Sequence, residues 1–183
     1  MTGRLTVVTT ERPASLGKTY RLTAAGMKKK TAGQMVEGTF EVQEFSDVQS
    51  LAQVLASIGA DQAIMASLPK DGSISGRLVT KAERVNHPGA LSRTKDCFGF
   101  EANQPGAVVL DYDPPVGTPA LSRDQLWALL CAAVPGVETA GVLWWCSGSS
   151  HIYQGENEIQ GLRGQRLYLL VQDLADTERF GEV

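Results

Sequence analysis

The chain has 183 residues, 43% of them hydrophobic and 20% charged, with a formal net charge of −3. A soluble chain of this size folds as one domain or two small modules, buries roughly 70% of its unfolded surface and needs no disulfide staples. The balance excludes global disorder and a chain that is basic throughout, but it leaves room for a local basic patch. Three cysteines, Cys97, Cys131 and Cys146, form no CxxC pair and leave an odd thiol. That speaks against a zinc site or a disulfide framework and for a reducing, cytoplasmic compartment. No apolar run approaches a membrane span, and MTGRLTVVTTERP lacks a signal-peptide core, so neither export nor a membrane partner is expected.

In chain order, the β-branched run Arg4–Thr10 predicts a strand, and ERPASLGKTYRLT a loop leading into a second. This first part of the chain is basic: Arg4, Arg12, Lys18, Arg21, Lys28, Lys29 and Lys30, with Glu11 as its only acid. Gly38–Phe45 alternates as a strand does. Ser46 then reads as the cap of an amphipathic helix, with Val48, Leu51, Leu55 and Ile58 on one face and Gly59 at its end. Asp61–Leu68 predicts a short buried strand stopped by Pro69, and the polar, Gly-rich stretch 70–88 a connector of weak regular structure. A short strand near Phe98–Phe100, a turn at Gln104-Pro105-Gly106 and a strong strand over Ala107–Asp113 follow. Ser122 caps a helix from Arg123 to about Val134, closed by Pro135-Gly136. AGVLWWCSGSSHIYQ gives a strand, a small-residue turn and another strand, with Trp144 and Trp145 read as core; GLRGQRLYLLVQD is a turn and a last strand. The order predicts an α+β fold: an N-terminal αβ module over residues 1–80 abutting a second module over 81–183. The sequence stops at ERFGEV just as another element begins, as a fragment of a longer protein would.

Three places along this chain invite chemistry. Residues i and i+2 of a strand share a face, so Asp111 and Asp113 in VVLDYDPP project together, with Tyr112 opposite. Two carboxylates that close favour a cation between them, and hard oxygen ligands select Mg²⁺ or Mn²⁺. Ser147, Gly148, Ser149 and Ser150 then offer hydroxyls and backbone amides with little bulk, a turn suited to phosphate oxygens. On an extended chain His151 shares a face with Ser149, whereas Ser150 and His151 point apart, which argues against a serine-hydrolase dyad. The apolar run Leu167–Val171 reads as a central strand that carries Asp173 to a sheet rim. GKT at Gly17–Thr19 lacks the earlier glycine of a phosphate loop, since Arg12 stands there, so no ATPase motor is expected within these residues.

DxD, then SxH, then a hydrophobic strand ending in Asp is an ordered set, and it resembles the archaeo-eukaryotic primase superfamily. The likeness is to the primase-polymerase domains of bacterial plasmids and other mobile elements. It spans about residues 85 to 180, helped by HPGALSRTKDCFGF and GLRGQRLYLLVQD, and is only loose before that. The resemblance implies an RRM-like catalytic sheet beside an αβ module, and a DNA primase or polymerase acting on a single-stranded DNA template. It implies that Asp111, Asp113 and Asp173 hold two divalent cations, Mg²⁺ or Mn²⁺, and that Ser149 and His151 hold the triphosphate of a nucleoside triphosphate. Arg93, Lys95, Arg163 and Arg166 are basic candidates to supplement the cations, with Arg84 and His87 behind them, and the basic N-terminal run is a candidate for template phosphates. A replicative helicase, on this chain or a separate one, is the further partner the likeness implies.

Three other readings stay open: a non-catalytic single-stranded nucleic-acid-binding or replication-initiation module, a metal-dependent nuclease built on the same acids, and an end-joining repair polymerase. Tyr112 and Tyr153 stand beside the motifs either to sense a sugar hydroxyl or simply to pack.

Overall fold

The first apolar run has no polar parity because β1 (Gly3–Arg12) is a central strand with both faces covered. The computed structural model describes residues 2–31, 34–115 and 117–180. After β1 come β2 (Lys18–Thr23), β3 (Gly26–Thr31), β4 (Glu37–Phe45), α1 (Val48–Ser57), β5 (Gln62–Met65), β6 (Leu68–Pro69), β7 (Ser75–Val79) and β8 (Phe98–Gly99). The second half holds β9 (Gly106–Tyr112), α2 (Arg123–Ala133), β10 (Val142–Cys146), β11 (Ile152–Gln154), β12 (Asn157–Gln160), β13 (Gln165–Val171) and α3 (Asp176–Arg179). The protein is α+β with several small antiparallel sheets, and no described helix is long and apolar enough to cross a membrane.

Two sheets set the frame. The first runs β5-β1-β4-β7 and the second β10-β13-β9, every neighbouring pair antiparallel. Leu5 and Val7 of β1 and Phe45 of β4 point to one side, where they meet Leu51 and Leu55 of α1 and Ala107 and Tyr168 of the second sheet. Val8 and Phe40 point the other way, onto Met35, Leu78, Leu91, Cys97 and Phe98. The connector after β7 therefore folds back onto the first sheet, and Phe98 meets Phe40 edge to face with ring centroids 5.6 Å apart. Thr6 is fully buried on that second side, and its hydroxyl donates to the Ser67 carbonyl at 2.7 Å, so its burial carries no unpaired polar group.

The far face of the second sheet is covered by α2. Trp127, Leu130, Cys131 and Val134 recur at helical spacing and pack on Val108 and Leu169. Ser122 caps this helix as expected, with Gln125 returning the bond. The cap of α1 falls one residue later than expected: Asp47, not Ser46, accepts the Ser50 N–H, because the positions of Val48, Leu51 and Leu55 fix the buried face and Asp47 then stands at the first turn. The strand expected over Asp61–Leu68 divides into β5 and β6, with Pro69 not stopping it but paired with Phe98 inside β6, and three further strands escaped the sequence reading. β3 and β12 are exposed hairpin partners without an apolar alternation, and β7 lies in the Gly-rich stretch read as a connector.

Candidate functional site

The second sheet is the layer between α2 and the first sheet, and its inward face carries a row of side chains in register. Asp111 of β9 stands opposite Arg166 of β13, and Arg166 opposite Trp145 of β10. Directly paired residues share a face, so the three lie side by side. They form one wall of a cleft of about 680 Å³ between the two sheets, whose other walls include Leu16, Gly17 and Lys18 before and at the start of β2 and the Gly59-Ala60 turn after α1. Ligand pockets are commonly concave sites of this kind.

Arg166 Nε donates to Asp111 Oδ1 at 3.2 Å. Burial opposes the charge on Arg166, but the bond and the charge of Asp111 more than offset it and hold the guanidinium above its ordinary value. Tyr168, next on the same face, has its hydroxyl pushed up by burial, against the opposing pull of Arg166. Asp113 lies just past the strand end, with Oδ1 2.6 Å from the point where a side chain on Gly164 would begin. Ser147 crowds the same point, and its hydroxyl is 2.6 Å from that of Ser149. A glycine at 164 thus lets the DxD strand end and the serine turn meet, and Asp111, Asp113, Ser149 and Arg166 gather at one rim.

The serine turn is not extended. Ser150 N–H bonds to the Ser147 carbonyl at 3.0 Å, and His151 adopts φ +52°, the left-handed region uncommon for a residue with a side chain. The expectation that Ser149 and His151 share a face because the chain is extended is therefore corrected. His151 instead stands half-exposed before β11, its Nδ1 2.8 Å from Glu158 Oε1 of β12. Ser150 is engaged in the frame: its hydroxyl donates to the Gly164 carbonyl at 2.7 Å and accepts from the Arg163 N–H at 3.0 Å.

Asp173 is the largest correction. Because β9 and β13 are antiparallel, the start of β13 lies beside Asp111 and its end, Val171, beside Gly106. Asp173 is further still, roughly 20 Å along the strand direction from Asp111 at about 3.3 Å per residue. Its Oδ1 accepts the N–H groups of Asn103 at 3.0 Å and Ala175 at 2.9 Å, so it holds the turn that leads into α3. The three acids do not meet at one rim, and among the described residues no cluster of three or more His, Cys, Asp or Glu is arranged to hold a metal.

The basic candidates separate as well. Arg163 donates through both terminal nitrogens of its guanidinium to the carbonyls of Thr118, Pro114 and Pro115, so it ties down the loop after the DxD strand. Arg93 and Lys95 are exposed on the segment that packs against the first sheet, and neither lines the cleft. Arg84 lies exposed on a short helical turn at Glu83–Asn86 and His87 half-buried just after it, and neither lines the cleft. Tyr112 packs toward α2 and accepts the Leu121 N–H at 3.3 Å, while Tyr153 is 57% exposed on the outer hairpin.

Sequence reasoning missed two groups. Trp145, read as core, is 37% exposed and lines the cleft; Trp144, on the opposite side of the strand, donates its indole N–H to Gln165 at 2.7 Å. Strand parity could have shown that both cannot be buried in one layer. Tyr20 of the β2–β3 hairpin lies close enough to Asp113 that the carboxylate, after burial, raises its hydroxyl above the usual value. No hydrophobic or charge pattern ties residue 20 to residue 113. No protein-family model, no curated protein and no solved structure matches the chain.

Proposed function

We propose that the protein is a divalent-cation-dependent nucleotidyltransferase that joins nucleoside triphosphates on a single-stranded template, a DNA primase or polymerase of the archaeo-eukaryotic primase kind. The observation that carries the reading is the single rim bearing Asp111, Asp113 and the Ser147–Ser150 turn, with Arg166 opposite Asp111. The order β9, α2, β10, β13, with β13 in the middle of the sheet and α2 on one face, is compatible with the RRM-like sheet that the resemblance implies.

Asp111 and Asp113 suit one hard cation: both are exposed carboxylates on one face, and the Ser147 hydroxyl crowds the same point over Gly164 as Asp113. When bound, Mg²⁺ or Mn²⁺ would neutralise phosphate charge and favour the deprotonated form of an attacking hydroxyl. A second cation would need ligands other than Asp173, supplied by the substrate. Ser149 offers a hydroxyl and Arg166 a forked donor to the triphosphate, and Arg166 can exchange the Asp111 carboxylate for a phosphate with little change of geometry. Glu158 holds the half-exposed imidazole of His151 just before β11. Cytoplasmic replication of a plasmid or mobile element, with a helicase as partner, is the setting that goes with this reading.

The displaced Asp173 and the existing Arg166–Asp111 pair favour one second reading, a non-catalytic module that binds single strands on the same sheet. The deciding experiment is incorporation of labelled ribo- and deoxyribonucleotides on a single-stranded template with Mg²⁺ or Mn²⁺, with and without a primer. Incorporation is expected, and changing both Asp111→Ala and Asp113→Ala should abolish it. Activity that survives the double change, or a wild-type protein that binds the template but never extends it, refutes the transferase reading.

A further inference from the structure

From the hairpin β2–β3 and the face of Trp145, we infer a built path for a single-stranded polynucleotide, with phosphates on the hairpin and a base stacked on the indole. The hairpin pairs only with itself among the described residues, and it holds Lys18, Arg21, Lys28, Lys29 and Lys30 without a single acid, in a chain of net charge −3. All five cations are exposed, and none forms an ion pair with a described residue. Register sorts them. Arg21 stands opposite Lys28 and Thr19 opposite Lys30, so Arg21, Lys28 and Lys30 share one face; Tyr20 stands opposite Lys29, and both share the other face with Lys18.

Cations so concentrated and unpaired repel one another, and a two-stranded ribbon alone is marginally stable. A polyanion relieves that repulsion. The root of the hairpin fixes which polyanion, because Lys18 lines the same cleft as Trp145, Asp111 and Arg166, and Tyr20 reaches toward Asp113. A strand whose phosphates follow the ribbon is led into a cleft with an exposed aromatic wall. A positively charged track joined to an aromatic stacking surface is how single strands are held without sequence preference. A flat anionic membrane could meet the ribbon but could not enter the cleft to reach Trp145.

The inference rests on the transferase reading only for what the strand is used for; binding itself needs no cation and no chemistry. Its test is therefore anisotropy of labelled oligothymidylate with the full chain in EDTA, without nucleotide, across a potassium chloride series. Replacing Lys28→Ser, Lys29→Ser and Lys30→Ser together removes contacts from both faces of the ribbon and should reduce the slope of log affinity against log salt by about 0.7–1.4, one or two phosphate contacts at about 0.7 each on a single strand. Trp145→Leu should weaken binding about five- to a hundredfold at every salt concentration, the usual effect of removing one stacking partner. Lys81→Ser, which removes a cation paired with Asp96 away from the cleft, should change neither. The hairpin carries no part of either sheet's core, and an unchanged melting temperature of the triple variant verifies this. Binding with a wild-type slope in the triple variant, binding unaffected by Trp145→Leu, or capture of anionic phosphatidylserine vesicles in place of oligonucleotide would each overturn the inference. Tight EDTA-resistant binding without incorporation would leave it standing and remove the transferase instead.

Discussion

Gly164 is where the candidate site is most tightly constrained, and adding one methyl group there tests the geometry directly. Its backbone is fixed from outside: the carbonyl accepts the Ser147 N–H at 2.9 Å and the Ser150 hydroxyl at 2.7 Å. A Cβ at this position would stand 2.6 Å from Asp113 Oδ1 and 3.0 Å from Ser147 Cβ, and would overlap the Ser147 hydroxyl. Ser147 is only 5% exposed and its hydroxyl is held 2.6 Å from Ser149, so it cannot rotate away without giving up that bond. Gly164→Ala should therefore cost about 1–3 kcal/mol, the usual range for overpacking. For a chain of this size that is a fall in Tm of about 2–12 °C. Gly148, in the same turn, is the control: nothing lies within 4 Å of its added methyl, and its φ is not left-handed. Gly148→Ala should stay within about 0.5 kcal/mol of wild type. Urea denaturation of the three proteins gives the stabilities. The same proteins heated with Mn²⁺ and a nucleoside triphosphate report the site, since a ligand of the native state raises Tm by mass action. Gly164→Ala should lose that rise and Gly148→Ala keep it. A Gly164→Ala protein as stable as wild type, with its ligand-dependent rise intact, would mean that Asp113 and Ser147 are not packed together at this rim.

Asp173→Ala removes the acceptor for two N–H groups and should cost about 1–2 kcal/mol by analogy with lost caps, whereas Asp173→Asn, which keeps an oxygen there, should cost only a few tenths. Neither should change the Mn²⁺- and nucleotide-dependent rise in Tm; if Asp173→Ala abolishes it at unchanged stability, the residue belongs to the site after all. For Asp47, the Ser50 N–H and then its hydroxyl hold the exposed carboxylate below its ordinary pKa. A folded value below the unfolded one means a contribution complete above about pH 4 and lost as pH falls through that range toward the depressed value. In acid denaturation, the stability difference between wild type and Asp47→Asn should thus be flat above about pH 5 and change only below pH 4; a difference that varies between pH 5 and 8 would show that another group is responsible.

What could be read from the sequence follows from whether the cause is local. α2 was legible because a capping serine, an apolar repeat and Pro135-Gly136 all lie within one short stretch. The shared face of Asp111 and Asp113 needed only the two-residue period of a strand. The fate of Asp173 needed the direction of a strand pair, and an apolar run has the same composition whether its partner is parallel or antiparallel. Antiparallel pairing carries the end of β13 away from the end of β9, so an acid after the last apolar residue arrives at the opposite rim. Arg163 failed for a related reason: a cation next to a serine turn reads as a phosphate ligand until its two terminal nitrogens are seen to bond the loop carbonyls of Pro114, Pro115 and Thr118. Tyr20 and Trp145 were hidden because their neighbours come from distant strands.

The loss of Asp173 from the rim changes what the remaining charges can do. Two carboxylates with a guanidinium on one of them present close to one net negative charge, and affinity for a hard divalent cation falls with the ligand charge available. The rim alone is therefore a weak cation site, and a triphosphate alone would meet two acids. On the proposed reading each would remove the obstacle to the other: the phosphates would add anionic oxygens for the cation, the cation would screen the phosphates from Asp111 and Asp113, and Arg166 would gain a second anion. On that reading, linkage would make such coupling reciprocal, so each of cation and nucleotide would raise the affinity for the other. Arg166 already supplies one positive charge beside Asp111, and on the proposed reading that ion pair would set this rim apart from a site built to hold two metals unaided.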